Sequence, residues 1–165
     1  MVKSFFIFIF SIVVNLGFTQ NNLDELLKKH NTKDIPYISV QELAMPKTDA
    51  IILDTRELKE FEISHIKHAI PVGFNQFDIN FVESKIQDKN KPIVVYCSLG
   101  IRSEIIAFKL KKAGYTHVFN LYGGIFEWKN KDFKIYNSEE QETEYVHAFD
   151  ETWSKWLEKG IKIYD

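Results

Sequence analysis

The amino-acid sequence predicts an α/β fold, a central and mainly parallel sheet of about five strands with helices on both of its faces. Between residues 37 and 130, short runs rich in β-branched residues alternate with stretches whose apolar residues recur at helical spacing. The run at 50–54 is apolar up to its last residue, which is typical of a strand buried on both faces. Alternation of such strands with helices indicates parallel pairing through crossover helices.

Each element is predicted from its local pattern. The predicted strands cover residues 38–40, 50–54, 69–72, 92–96 and 118–121. The predicted helices cover residues 41–45, 57–64, 74–86 and 105–113, and a short helix follows Gly123-Gly124. Pro71 cannot donate a hydrogen bond to a ladder, so its strand is predicted at an edge. Thr55 is expected to cap the helix over 57–64.

The flanking segments differ from this predicted domain, residues 37–130. Residues 21–36 are expected to form an amphipathic lead-in helix or a flexible arm. Residues 131–165 are expected to form a C-terminal extension, with a solvated acidic linker over 137–144 and an amphipathic helix over 145–159. Tyr145, Phe149, Trp153 and Trp156 would lie on one face of that helix. Docking of this face on the domain is favoured, and a surface for a protein partner is the alternative.

The first twenty residues have the pattern of a signal peptide. Lys3 precedes an apolar stretch over residues 5–14, and small or polar residues follow it as far as Gln20. A positive start, a short apolar region and such a cleavage zone predict export to the periplasm or the medium. The apolar run is too short to span a bilayer comfortably, so no stable membrane anchor is expected.

The composition limits the kinds of partner and site that are expected. The formal net charge is −2, which gives no electrostatic case for nucleic acid as the main partner. Cys97 is the single cysteine, so no disulfide can form within the chain. In an exported protein such a lone cysteine is a candidate reactive thiol. His65 and His68 are three residues apart, but without a third ligand nearby in sequence they are expected to be structural, and no metal or cofactor is predicted.

The segment after residues 92–96 carries the strongest functional signal. Cys97 directly follows the buried strand, where parallel sheets place their ligand sites. A six-residue loop, residues 97–102, then leads to the helix, whose start favours a negative charge and so lowers the pKa of a thiol. Gly100 permits the positive φ that turns successive N–H groups inward, and Arg102 supplies a permanent charge for an oxyanion. The alternative is that Cys97 is a small buried apolar residue.

Three stretches together make the chain similar to the rhodanese family in its single-domain form. The first is Asp54-Thr55-Arg56-Glu57 through Glu60-Phe61, Ser64-His65-Ile66 and Ala69-Ile70-Pro71. The second is the Cys97 loop with Arg102-Ser103. The third is Gly114-Tyr115 through Val118, Asn120-Leu121, Gly123-Gly124-Ile125 and Trp128. The resemblance implies a three-layer α/β/α rhodanese-like fold.

The resemblance also implies a sulfurtransferase. Cys97 would take sulfur from a small sulfur-containing anion such as thiosulfate, hold it as a persulfide, and pass it to a thiol or a cyanide-like acceptor. The substrate would lie in the loop formed by Ser98, Leu99, Gly100, Ile101 and Arg102. Asp54, Arg56 and Ser103 would brace this loop without touching the substrate.

Departures from the family pattern qualify the activity. Ser64 and His68 stand where relatives often have glycine, and Ser98 stands where many thiosulfate-using relatives have arginine. A rhodanese-like binding or sulfur-carrier module without thiosulfate turnover is therefore the alternative function. Cys97 and Arg102 enclose four residues, whereas the related phosphatases have five, so a phosphatase is disfavoured. Disulfide exchange is disfavoured by the lack of a resolving cysteine.

Overall fold

A computed structural model describes residues 22–164, so the predicted signal peptide lies outside the described residues. Residues 22–30 form helix α1. Five strands form one sheet in the order β1-β5-β4-β2-β3, and every pairing in it is parallel. The strands are β1 (Tyr37–Ile38), β2 (Ile51–Asp54), β3 (Ile70–Pro71), β4 (Ile93–Tyr96) and β5 (Val118–Leu121). The predicted α/β class and five-strand sheet are confirmed.

Five helices follow strands of this sheet or connect them. They are α2 (Val40–Leu43), α3 (Leu58–Ile63), α4 (Ile79–Lys85), α5 (Ile101–Lys112) and α6 (Gly124–Asn130). Strand β4 lies at the centre of the sheet and is buried along its whole length. Side chains of β2, β4 and α5, among them Leu53, Val95 and Ile106, form the apolar core. The core therefore fixes the carboxyl end of β4, where Cys97 follows.

Several predicted boundaries are wrong for local reasons. Helix α5 begins at Ile101, not at 105, so Arg102 lies in its first turn and not in a loop. The stretch predicted as helical over 74–86 is helical only from Ile79, where the Asp78 side chain caps α4. Thr55 does not cap α3, because its hydroxyl donates to the Tyr96 carbonyl. Glu57 occupies that capping position instead.

The C-terminal extension is not built as predicted. The helix expected over 145–159 is replaced by strand β8 (Tyr145–His147), helix α7 (Glu151–Ser154) and strand β9 (Ile161–Ile163). Strands β8 and β9 pair in parallel, and this pairing supplies the backbone hydrogen bonds that a helix would have made. Phe149, between β8 and α7, has a left-handed φ of 69°, which no helix allows. The four aromatic residues therefore do not share one helical face.

The acidic stretch over 137–144, predicted as a solvated linker, is mostly exposed, but it forms a hairpin and not an irregular linker. Strands β6 (Ile135–Tyr136) and β7 (Glu142–Thr143) pair as an antiparallel hairpin across it. The Asn137 side chain accepts hydrogen bonds from the backbone N–H groups of Glu139 and Gln141 and so orders the turn. Among residues 22–164, no helix combines the length and apolar character that a membrane crossing requires.

The two departures in the first of the three stretches that resemble the family have different consequences. Ser64 has a φ of −166°, extended backbone that any residue adopts. His68 has a φ of 64°, a left-handed conformation that glycine would adopt without strain.

His65 stacks on Phe61 with ring centroids 3.9 Å apart, and its Nε2 lies 3.2 Å from a Glu140 oxygen. These are contacts of a structural histidine.

Candidate active site

Cys97 is held at the carboxyl end of the central strand. It is only 2 % exposed. The Gly100 backbone N–H donates to Cys97 Sγ at 3.1 Å, and Ser103 Oγ lies 3.6 Å from the same sulfur. Both donors come from the segment that follows the strand, so the chain folds back over the sulfur within six residues. The contacts favour the charged form of the thiol.

Gly100 makes this return of the chain possible. Its φ is 105°, in the region that favours glycine, and it is the N-cap of helix α5. A Cβ at this position would lie 3.3 Å from the Leu121 carbonyl oxygen. Helix α5 has 12 residues, and the N–H groups of its first turn have no acceptor within the helix. They and the helix dipole direct positive potential toward Cys97.

Asn120 on the neighbouring strand β5 holds the loop. Its Nδ2 donates to the Gly100 carbonyl at 2.7 Å, and its Oδ1 accepts from Ser103 Oγ at 2.7 Å. The Ser103 hydroxyl has one proton, so it donates either to Asn120 or to Cys97 Sγ. A thiolate is the stronger acceptor of that proton, because hydrogen bonds to charged groups are the stronger ones. Asn120 is fully buried, which keeps this network away from water.

Arg102 is paired inside the protein. Its Nη1 and Nη2 each lie 2.7 Å from an oxygen of Glu60, and Nη2 donates to Ser98 Oγ at 3.1 Å. The Phe149 ring covers the guanidinium, with its centroid 5.0 Å from Cζ. The predicted role of Arg102 in holding an oxyanion remains a prediction, and such a ligand would share the guanidinium with Glu60.

Charges and hydrogen bonds shift the ionisation of these groups. Burial acts to raise the pKa of Cys97, but the Arg102 charge and the hydrogen bonds from Ser103 and Gly100 outweigh it and hold the pKa below its ordinary value. Burial likewise acts to raise the pKa of Glu60, and its bonds to Arg102 lower it overall. The site therefore favours a thiolate at Cys97 and a carboxylate at Glu60.

Asp54 at the end of β2 and Arg56 just after it form a fully buried pair. Arg56 Nη2 is 2.6 Å from Asp54 Oδ2 and donates to the Ser64 carbonyl at 2.6 Å. The guanidinium carbon lies 5.6 Å from the centre of the Tyr96 ring. Tyr96 precedes Cys97, so the pair supports the end of β4 and not the loop itself. Its predicted bracing role would act through Tyr96.

The turn into helix α6 closes the loop from the other side. The Ile125 and Phe126 N–H groups donate to the carbonyls of Cys97 and Ser98, at 2.9 and 3.1 Å. Gly124 has a φ of 56°, and a Cβ there would lie 2.2 Å from the Cys97 carbonyl oxygen. Only glycine allows this approach of the two backbones.

A pocket of about 170 Å³ opens above the sulfur. It is lined by Cys97, Ser98, Leu99, Ile101, Arg102, Phe149 and Trp153. Four of the five predicted loop residues thus line one cavity with Cys97, whereas Gly100 is not among its lining residues and contacts the sulfur through its backbone N–H. Among residues 22–164, no group of three or more histidine, cysteine, aspartate or glutamate side chains is close enough to hold a metal ion.

Sequence reasoning did not assign four side chains of this site: Glu60, Asn120, Phe149 and Trp153. Glu60 and Asn120 lie within the stretches that carry the family resemblance, so their positions were available but their contacts were not. Phe149 and Trp153 were assigned to one face of a predicted helix. Their place at the pocket follows from the β8 strand and the left-handed Phe149 backbone.

Comparison with known proteins gives the same family. The sequence model of the rhodanese-like domain matches residues 39–131. The thiosulfate sulfurtransferase GlpE of Coxiella burnetii (strain RSA 331) is 34 % identical over 97 residues, which cover 59 % of this chain and 87 % of the relative. The tRNA uridine(34) hydroxylase of Aster yellows witches'-broom phytoplasma is 36 % identical over 97 residues, 56 % of this chain. These residues are about a third, 32 %, of the hydroxylase's own length.

Solved structures show the same fold. A thiosulfate sulfurtransferase from Pseudomonas aeruginosa superposes with a TM-score of 0.59 at 21 % identity, over 84 % of this chain and 26 % of that one. A rhodanese-related protein from Thermoplasma volcanium gives a TM-score of 0.52 at 23 % identity, over 61 % of this chain and 96 % of that one. With a matching family model, a curated relative and a shared fold, the chain belongs to the rhodanese-like family.

Proposed function

We propose that this protein is a sulfurtransferase that carries sulfur as a persulfide on Cys97. The observation that carries the proposal is the environment of Cys97 Sγ, a buried sulfur that accepts the Gly100 N–H bond beside the Arg102 charge and opens to a pocket. A stabilised thiolate is the nucleophile that such chemistry needs. The relatives named as thiosulfate sulfurtransferases support this class of reaction.

The first half-reaction is a displacement at sulfur. The Cys97 thiolate attacks the outer sulfur of a donor such as thiosulfate, and a new S–S bond forms at Sγ. The S–S bond within the donor breaks, and its electron pair leaves with sulfite. Charge is conserved, since a thiolate and a dianion give a persulfide anion and a dianion. The N–H groups at the start of α5 would stabilise the negative charge on the outer sulfur of the persulfide.

The second half-reaction returns the enzyme to its starting state. An acceptor thiolate or cyanide attacks the outer sulfur of the Cys97 persulfide. The electron pair of the bond that breaks returns to Sγ, and the product is the acceptor's persulfide or thiocyanate. The Arg102 charge and the hydrogen bonds of Gly100 and Ser103, which lower the pKa of Cys97, also make its thiolate a good leaving group.

A turnover assay tests the proposal. Thiocyanate formation from thiosulfate and cyanide is compared between the wild-type protein and Cys97→Ser. We expect the wild type to turn over and the variant to show no reaction above the uncatalysed rate. Turnover that survives in Cys97→Ser would contradict the proposal.

A rhodanese-like sulfur carrier or binding module without thiosulfate turnover is the second candidate. The favouring observation is that both terminal nitrogens of Arg102 bind Glu60, while Ser98 adds no charge to the loop. A site of this kind holds a dianion less strongly than one with a free guanidinium. A protein that takes up one sulfur atom from thiosulfate without turnover would fit this candidate. So would a protein that binds a partner and takes up no sulfur. The similarity to the tRNA uridine(34) hydroxylase covers only 32 % of that relative's length.

We also propose that the protein is exported and loses an N-terminal signal peptide near Gln20. The support is the pattern of Lys3, the apolar residues 5–14 and the small or polar residues that follow. Fractionation of cells that express the full chain, with the N-terminal sequence of the product, tests this. A product that keeps Lys3 and remains in the cytoplasm would contradict export.

A further inference from the structure

The pocket above Cys97 has walls that the loop does not supply. Phe149 and Trp153 belong to the C-terminal extension, residues 131–165, and line the pocket together with Leu99 and Ile101. Four of the seven lining residues within 22–164 are therefore large and apolar. Contact with such a surface does not stabilise a small oxyanion. An apolar group, in contrast, is stabilised when it leaves water and packs against this surface.

Arg102, the cation among the described lining residues of the pocket, is already paired. The Glu60 carboxylate holds both ends of the Arg102 fork at 2.7 Å, and only 17 % of the Arg102 side chain is exposed. Glu60 itself is 1 % exposed, so water does not screen the pair. The Glu60 charge therefore offsets part of the Arg102 charge, although Arg102 still acts on Cys97. A dianion that enters this pocket thus meets an arginine that is already paired with a carboxylate.

The apolar wall is held in a fixed conformation. Phe149 has a left-handed φ of 69°, and its N–H donates to His147 Nδ1 at 3.2 Å. The next residue, Asp150, caps helix α7 by accepting from the Trp153 N–H at 3.0 Å. A left-handed backbone at a residue other than glycine persists where the surrounding structure fixes it. Phe149 is nevertheless 44 % exposed as a residue, so it retains apolar surface that a ligand can cover.

We propose that Phe149 and Trp153 make this site selective for an organic sulfane-sulfur donor, in which an apolar body carries the transferable sulfur, over thiosulfate. The inference rests on the proposed sulfurtransferase function and names its donor class. With an arenethiosulfonate, the Cys97 thiolate attacks the terminal sulfur and forms the persulfide. The S–S bond of the donor breaks, and its electron pair leaves with the arenesulfinate. Two monoanions give two monoanions, so no further reactant is needed.

Three donors with cyanide as acceptor test the inference. Benzenethiosulfonate and methanethiosulfonate share the reacting group and differ in their apolar body, and thiosulfate is the dianion. For the wild type we expect kcat/KM to be at least about tenfold higher with benzenethiosulfonate than with methanethiosulfonate, which equals about 1.4 kcal/mol. Thiosulfate should give the lowest value of the three.

Variants then assign the preference to the extension. Phe149→Ala and Trp153→Ala should each lower the benzene-to-methane ratio of kcat/KM about fivefold, and Phe149→Leu should keep most of it. Tyr164→Ala is the matched control, because Tyr164 is an aromatic residue of the same extension, 44 % exposed and outside the pocket lining. Its ratio should equal that of the wild type. A ratio taken on one preparation does not depend on the fraction of folded protein.

The outcomes separate the two proposals. If the ratio is near one in the wild type, or if Phe149→Ala and Trp153→Ala leave it unchanged, the donor selectivity is overturned while the sulfurtransferase proposal stands. If thiosulfate is the best donor, the selectivity is overturned as well. If none of the three donors yields thiocyanate, the sulfurtransferase proposal itself fails.

Discussion

Glu60→Gln tests how the site balances its charges. The substitution keeps the size of the side chain and removes the carboxylate that pairs with Arg102. Removal of one partner from a buried pair costs about 3–5 kcal/mol. Arg102 remains 17 % exposed and Gln keeps one acceptor oxygen, so we expect about 2–3 kcal/mol, below that range. For a chain of this size about 1 kcal/mol lowers Tm by roughly 2–4 °C, so Tm should fall by roughly 4–12 °C.

The direction of the Glu60 pKa shift determines how the stability contributed by the pair changes with pH. The folded pKa of Glu60 lies below its ordinary value, so the pair stabilises the protein above that ordinary pKa. This stabilisation is lost as the pH falls from there through the folded pKa. In Glu60→Gln the free energy of unfolding should therefore change less with pH on the acid side than it does in the wild type.

The same substitution destabilises the fold but should favour the charged form of the Cys97 thiol. Without Glu60, Cys97 is the remaining anion beside Arg102, and its pKa should fall further. Urea unfolding measures the stability, and the pH profile of alkylation by iodoacetamide measures the thiol. Glu62→Gln, at an exposed position on the same helix α3, is the matched control. Equal stability and an equal alkylation profile in the two variants would refute this reasoning.

Three further predictions concern the loop. Because the pKa of Cys97 is lowered, its alkylation should have a midpoint below that of an ordinary cysteine thiol, and Arg102→Met should move that midpoint up. Gly124→Ala should destabilise the protein by more than about 3 kcal/mol in urea unfolding. Gly73→Ala, with a φ of 68° and no atom within 4 Å of the added Cβ, should cost only about 1–2 kcal/mol. Asn120→Ala should lower the stability by about 1–3 kcal/mol, because it leaves buried loop groups unpaired, and a loss of less than about 0.5 kcal/mol would contradict its bracing role.

The sheet and the Cys97 loop could be predicted because their signals are local. The buried strand Ile93–Tyr96, the cysteine after it and Gly100 are contiguous in sequence, and backbone geometry connects them. The predicted start of helix α5 is too late, since Ile101 and Arg102 lie in the helix and not in the loop. A glycine at the N-cap is a weaker sequence signal for a helix start than Ser, Thr, Asp or Asn, which explains this error.

The contacts that set the charge of the site could not be predicted. Glu60 and Arg102 are 42 residues apart and meet only after the sheet has formed. Glu60 also occupies the third position of a capping box in α3, which is an adequate local explanation for a glutamate there. The sequence therefore gives no indication that Arg102 pairs with Glu60 and does not face the substrate alone.

The extension failed for a different reason. Aromatic residues at 145, 149, 153 and 156 fit helical spacing, but β-pairing of 145–147 with 161–163 is a nonlocal choice. Once that pairing forms, the chain must turn between the strands, and Phe149 takes a left-handed conformation at the turn. Periodicity alone cannot reveal this competition.

The mass of the intact protein is the most direct test of persulfide chemistry at Cys97. The protein is measured before and after incubation with thiosulfate or benzenethiosulfonate, and again after cyanide, with Cys97→Ser treated in parallel. We predict a gain of one sulfur atom per chain with at least one donor, its loss with cyanide, and no gain in Cys97→Ser. A wild-type protein whose mass does not change with either donor, or an equal gain in Cys97→Ser, would contradict the assignment of Cys97 as the sulfur carrier.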